Sequence, residues 1–173
     1  MKKEIVLAGG CFWGMEKYLS LIPGVFSTEV GYANGRTKNP TYEKVCKDNT
    51  GFTESVRVVY DADVLPLPFL VSLYFEVIDP TSLNRQGGDV GTQYRTGIYY
   101  HDDADRETVA RSLAGLQQTI KQKIQIELLP LRNFYAAEAY HQKYLDKNPS
   151  GYCHIGPAAF DRARKAVCVP KSE

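Results

Sequence analysis

An excess of charge of either sign is missing from this chain. Its 21 lysines and arginines meet 20 aspartates and glutamates, for a formal net charge of +1. That balance gives no field to gather nucleic acid or an anionic membrane surface, so neither partner is expected. No apolar run approaches the length of a bilayer-crossing helix. The opening MKKEIVLAGG couples two lysines to a short apolar run that breaks at Gly9-Gly10, too soon for a signal core. It reads as a first strand, and a cytoplasmic protein is expected. Cysteine is sparse: Cys11, Cys46, Cys153 and Cys168, with no CxxC pair. Two structural disulfides suit small secreted chains better than one of 173 residues. The three histidines, His101, His141 and His154, show no repeated ligand spacing, so a metal site has little support. In a reducing compartment the thiols are then inert and buried, or catalytic.

What is present is an ordinary globular composition, 43% hydrophobic and 24% charged. The length fits one domain over 1–173, with an irregular tail from about residue 149. KEIVLA (3–8) reads as a short buried strand. Phe12, Met15, Leu19 and Ile22 fall at helical spacing, with Tyr18 beside them, until Pro23-Gly24 stops the helix. VFSTEVGYA (25–33) is a strand, followed by loop chemistry at Asn34-Gly35 and Asn39-Pro40. ESVRVVYD (54–61) alternates, with Glu54, Val56, Val58 and Tyr60 on one face. LPFLVSLYFEVI (67–78) is an apolar helix. SLNRQGGDVGTQ (82–93) is a long polar loop of a functional kind. YRTGIYYH (94–101) is a strand. Asp102 or Asp103 caps a helix striped by Val109, Leu113, Leu116 and Ile120. KIQIELLPL (123–131) is a last strand, EAYHQKYLDKN (138–148) a short helix, and FDRARKAVCVPKSE starts helical and ends frayed. The order β-α-β-β-α-β-α-β favours an α+β two-layer sandwich with a mixed sheet.

Gly9-Gly10-Cys11 occupies a strand-to-helix turn. Free amides and the helix dipole at that end stabilise a thiolate, and two glycines leave the sulfur uncovered. A lowered thiol pKa would make Cys11 reactive. The bland alternative is a buried structural cysteine. Trp13, the single tryptophan, is either a pocket wall beside the sulfur or a packed surface residue. Glu54 heads an apolar strand face. It is either a desolvated acid that holds its proton near neutrality or a solvated strand end. Glu16 reads as a helpful charge in the helix's first turn. Tyr42 and Tyr94 stand at loop–strand junctions where a hydroxyl can face a cleft. Asp89 lies in the glycine-rich loop. Cys153 follows Gly151-Tyr152 in the tail, where a thiol can reach a second sulfur. Cys46 has no such context and reads as a bystander; Cys168 stays open. A hydrolase pairing Cys11 with His141 or His154, and a thiol redox sensor, are the rival readings.

GGCFWG (9–14), GYANGRTKNPTYEKVC (31–46), TGFTESVRVVYD (50–61), DPTSLNRQGGDVGTQYR (79–95) and YHQKYLDKNPSGYC (140–153) resemble, in order, the blocks of the A-type peptide methionine sulfoxide reductases. This resemblance implies a ferredoxin-like core and no metal or organic cofactor. It implies that Cys11 attacks the sulfoxide sulfur and that Phe12 and Trp13 receive the methyl group and select the S epimer. Glu54 becomes the acid, Tyr42 and Tyr94 the hydrogen-bond donors to the oxygen, and Asp89 the loop aspartate. Cys153 becomes the resolving cysteine, with Cys168 a candidate second recycling thiol. The implied partners are free or protein-bound methionine sulfoxide and a thioredoxin-type reductant, for a monomeric enzyme. One departure is visible: Phe52-Thr53 precede the acid where the family often has His-Ala, which changes the acid's neighbours.

Overall fold

The computed structural model describes residues 1–47 and 49–169. The first elements are β1 (Lys2–Ala8), α1 (Phe12–Ser20), β2 (Val25–Ala33), α2 (Tyr42–Lys47), β3 (Thr53–Asp61) and α3 (Leu67–Phe75). A two-strand hairpin of β4 (Arg85–Gln86) and β5 (Asp89–Val90) comes next, then a 3-10 turn at Thr92–Tyr94. The remainder is β6 (Gly97–Tyr100), α4 (Asp103–Thr119), β7 (Glu127–Pro130), β8 (Phe134–Ala136), a 3-10 turn at Ala139–His141, α5 (Tyr144–Lys147) and α6 (Pro157–Lys165).

Six strands form one sheet in the order β7-β6-β1-β3-β2-β8. Only the β6–β7 pair is parallel; the other four are antiparallel. The α+β mixed-sheet reading is borne out. β1 is the innermost strand by burial as well as by place. Ile5, Val6, Leu7 and Ala8 are all fully buried, because both faces of the sheet are covered there. On one face Ile5, Leu7, Val30, Val56, Val58 and Ile98 meet the apolar stripes of α1 and α3. On the other face Val6, Ala8, Ala33 and Tyr99 pack under Leu131 and Phe134. Phe12, Met15, Tyr18, Leu19 and Ile22 are all buried, as their spacing requires. Asp102 caps α4, its carboxylate accepting from the Asp105 amide at 2.8 Å.

The structure departs from the sequence reading in the short pieces. Tyr94 lies in a 3-10 turn, and its strand begins only at Gly97. The strand expected over 123–131 contracts to β7. The helix expected over 138–148 is broken: Lys143 adopts a left-handed conformation (φ 56°) between the 3-10 turn and α5. What holds that break is the Lys143 amide, which donates to the buried Glu16 carboxylate at 2.7 Å. α2, β8 and the β4–β5 hairpin carry too few residues for a periodic signal. The tail is not wholly irregular, since α6 docks against α1 and buries Ala159 and Ala163. The frayed end expected at 170–173 lies outside the described residues.

Tyr74 fixes the end of β1, just before the Gly9-Gly10-Cys11 turn. Its hydroxyl, fully buried on α3, donates to the Ala8 carbonyl at 2.5 Å. Tyr74→Phe removes that donor and strands a buried carbonyl. Urea unfolding should show a loss of about 1–2 kcal/mol with an unchanged m-value. A variant as stable as the parent would show that the hydroxyl does not fix this strand end.

Candidate active site

Cys11 occupies the position before α1, with extended backbone (φ −61°, ψ 127°). Gly10 turns the chain into it through a left-handed conformation (φ 76°), which a side chain adopts only under strain. A Cβ there would also lie 3.2 Å from the His154 ring. The Gly10 amide donates to the Tyr94 carbonyl at 3.1 Å, so the turn and the Tyr94 segment are tied together.

The expectation of an open, easily ionised thiol is overturned. Cys11 is only 8% exposed, and burial pushes its pKa up, with the Glu54 carboxylate adding repulsion. The Trp13 amide N–H, close to the sulfur but outside full hydrogen-bonding geometry, offsets part of this. Helix-end stabilisation is at most about 2 kcal/mol, whereas removing a thiolate from water costs more. Burial therefore favours the thiol over the thiolate, and the neighbour with the largest electrostatic effect on it is a carboxyl.

Glu54 is that neighbour. β3 places it on the helix-side face, opposite Tyr32 of β2, where only 1% of its surface is exposed. Its Oε1 accepts the Phe12 amide N–H of α1 at 3.3 Å. Its Oε2 is buried without any partner. Burial dominates and raises the pKa to about 8, with the Phe12 amide pulling the other way. Of the two readings left open by the strand pattern, the desolvated acid is correct. Phe52 and Thr53, which precede it, are closed off from water as well. Both are buried, Phe52 edge-on to Tyr135 and Thr53 donating to the Ala33 carbonyl.

Tyr42 opens α2 rather than a strand, its amide held by Glu138 at 3.0 Å. Its ring stacks at 6.5 Å from that of Phe12. Tyr42 and Tyr94 both have pKa values pushed up by burial and then by Glu54. Both hydroxyls stay protonated in the neighbourhood of that carboxyl. Asp89, on β5, accepts the Tyr152 hydroxyl at 3.0 Å. This bond pins the segment carrying Cys153 over the site. Cys153 is half-buried, and its thiol donates to the Ile155 carbonyl at 3.2 Å. A Cβ on Gly14, in the first turn of α1, would lie 2.9 Å from its sulfur. The missing side chain at Gly14 is what lets Cys153 approach the helix end that Cys11 begins.

Trp13 is half-buried, not an open wall: its indole stacks on Tyr144 at 3.7 Å and 11°. Its Nε1 donates to His141 Nδ1 at 2.9 Å. His141 also packs 4.6 Å from the Tyr42 ring and 5.1 Å from that of Phe12. Phe12, Trp13, Tyr42, His141 and Tyr144 thus form one aromatic wall. Glu16 lies in the second turn of α1 rather than the first. It is 2% exposed and accepts from Thr28 and the Lys143 amide, a structural role. Cys46, taken as a bystander, is an exposed thiol one turn along α2 from Tyr42. Cys168 is partly exposed beyond α6, and no hydrogen bond ties it to the site among the described residues. Sequence reasoning missed Glu138, Tyr144 and Tyr152; each matters only through a fold contact.

A buried thiol beside a buried carboxyl suits thiol redox chemistry better than histidine-assisted hydrolysis. No histidine hydrogen-bonds Cys11 among the described residues, and His141 is engaged by Trp13. Residues 3–171 match the family model described as peptide methionine sulfoxide reductase. The chain is 63% identical over 166 residues to peptide methionine sulfoxide reductase MsrA of Lachnoclostridium phytofermentans, covering 96% of this chain and all of that one. The structure of Mxr1 from Saccharomyces cerevisiae in reduced form superposes with a TM-score of 0.85 at 41% identity, covering 90% and 91% of the two chains. Mxr1 solved in complex with Trx2 aligns at a TM-score of 0.60 and 30% identity over 83% and 84%. The chain belongs to the peptide methionine sulfoxide reductase family. It is an oxidoreductase that reduces methionine sulfoxide.

The raised pKa of Glu54 has a signed consequence for stability. Between pH 4.5 and about 8 the folded state holds a proton that the unfolded chain has released. Stability therefore falls as pH rises through that window. Urea titrations across it should show that decline in the parent and a shallower one in Glu54→Gln. Identical slopes would mean that the carboxyl ionises freely in the fold.

Proposed function

We propose that the chain reduces the S epimer of methionine sulfoxide through a sulfenic acid at Cys11 and a Cys11–Cys153 disulfide. The observation that carries this reading is the buried Glu54 carboxyl, one oxygen of which has no partner among the described residues, on the Cys11 side of the sheet. The sulfoxide oxygen accepts the Glu54 proton, with the Tyr42 and Tyr94 hydroxyls donating to it as its negative charge grows. Cys11 attacks the substrate sulfur and gives its proton back to Glu54. Two electrons pass from the Cys11 sulfur to the substrate sulfur. The substrate S–O bond and the transient bond between the two sulfurs break as the oxygen becomes a hydroxyl on Cys11, and methionine leaves. The step needs no free thiolate beforehand, which suits a thiol whose burial disfavours ionisation. Phe12 and Trp13 accept the methyl group, and the handed arrangement of wall and acid supports selection of one epimer. Asp89 holds Tyr152 and thereby the Cys153 segment.

Cys153 then displaces the hydroxyl as water and forms the disulfide. A dithiol restores both thiols by exchange. The complex of Mxr1 with Trx2 supports a thioredoxin as that dithiol; the proposed working form is a cytoplasmic monomer. Free and protein-bound sulfoxide both serve as substrates. Cys168 is left as an optional relay that the site does not need.

A mixture of both sulfoxide epimers with dithiothreitol should lose the S epimer alone. Cys11→Ser should abolish the loss, and Glu54→Gln should cut the rate by about 10²–10⁴. Consumption of both epimers, or an active Cys11→Ser enzyme, would contradict the reading. Gly14→Ala should leave one methionine formed per enzyme while slowing thioredoxin-driven turnover. Unimpaired turnover would exclude Cys153 as the resolving thiol.

A further inference from the structure

A second hollow opens on the opposite face of the sheet from Cys11. Its volume is about 490 Å³. Three arginines line it, Arg36, Arg95 and Arg132, with one carboxylate, Glu127. Arg95 is the only one of the three with a carboxylate partner among the described residues, donating to Glu127 at 2.7 Å. The Arg36 guanidinium is held by the Asn49 carbonyl at 2.6 Å. Among the described residues, Arg36 and Arg132 thus have no carboxylate partner in the hollow.

Its wall is fixed before any ligand arrives. Asn34 and Asn133 knit the segment after β2 to the segment before β8. The Gly35 amide donates to Asn133 Oδ1 at 3.2 Å, and Asn133 Nδ2 donates back to the Gly35 carbonyl at 3.1 Å. The Arg132 amide donates to Asn34 Oδ1 at 2.7 Å. Arg132 and Arg36 are therefore presented from rigid backbone.

The hollow also adjoins the catalytic elements. Tyr94 faces Glu54 and Cys11, while the next residue, Arg95, faces the hollow. The Arg95 guanidinium donates to the Thr92 and Gly51 carbonyls, each at 2.8 Å. Thr92 begins the turn that carries Tyr94, and Gly51 lies three residues before Glu54. A polypeptide with its sulfoxide at Cys11 would have to cross this rim to reach the hollow, each extended residue spanning about 3.3–3.6 Å. Opposite charge on that polypeptide would meet guanidinium forks suited to carboxylates.

We infer that this arginine-lined hollow is a subsite for an acidic side chain of the oxidised polypeptide, near the methionine sulfoxide in sequence. The inference rests on the reductase reading above and names a substrate preference within it. Free methionine sulfoxide is too short to reach the subsite.

The test uses synthetic peptides containing methionine-S-sulfoxide, with one Glu, Lys or Ala placed within about four residues on either side. At low ionic strength the best Glu peptide should have a kcat/KM about threefold to tenfold above its Ala counterpart, mostly through KM. Its Lys counterpart should fall below Ala. Arg36→Glu/Arg132→Glu should reverse the order, and Arg132→Gln alone should weaken it. N-acetylmethionine-S-sulfoxide should be reduced at the parent rate by each variant, which also verifies folding. Indifference of the parent enzyme to the charge, or an order unchanged in the double variant, would overturn the subsite. Failure of the parent on N-acetylmethionine-S-sulfoxide would instead overturn the reductase mechanism.

Discussion

The chemistry proposed for this molecule depends on one carboxyl group being kept out of water. Glu54 sits on a central strand with a helix start above it and tyrosines on its flanks. It receives one weak amide bond, and its second oxygen receives nothing. A carboxylate in that place would be costly, so the proton stays. The same dryness suppresses ionisation of Cys11. Two groups that are each poor at their tasks in isolation are matched as a pair. The acid needs a base to take its proton, and the sulfoxide oxygen is one. In the proposed mechanism the thiol loses its proton to the emptied Glu54. Burial that looks unfavourable for a nucleophile is favourable for a proton circuit that closes on itself.

The fold serves this arrangement with contacts far from it in sequence. Tyr74 on α3 holds the end of β1, and Arg95 ties the approach to β3 to the turn bearing Tyr94. Tyr152 ties the Cys153 segment to Asp89, and His141 ties Trp13 to the aromatic wall. Glu16, at first sight a helix-end charge, anchors the left-handed Lys143 that turns the chain between His141 and Tyr144. Each of these residues sets the position of another group and does no chemistry itself.

The long elements were legible because burial imposes a period on them. The alternation over 54–61 and the 3–4 spacing over 12–22 put the right side chains inside. Glu54 was detectable as a polar residue at the head of an apolar face, though the strand pattern alone left it between buried and solvated. Cys11 was found for a sound reason joined to a wrong one. The glycine pair does bend the chain, but it tightens the turn under Gln86 and His154 rather than uncovering the sulfur. Phe12 and Trp13 were singled out, but the ties of Trp13 to His141 and Tyr144 cross more than a hundred residues, and no local signal carries them. The pieces of two to six residues, β4, β5, β8 and α2, owe their form to neighbours and so left no periodic trace.

The protonation of Glu54 at neutral pH is open to direct observation. Infrared difference spectra between the parent and Glu54→Gln isolate the carbonyl stretch of one protonated carboxyl. As pH is raised, that band should persist through neutrality and vanish with an apparent pKa of about 8. A band already lost near the ordinary value of 4.5 would leave Cys11 facing a carboxylate, with no proton to give the sulfoxide.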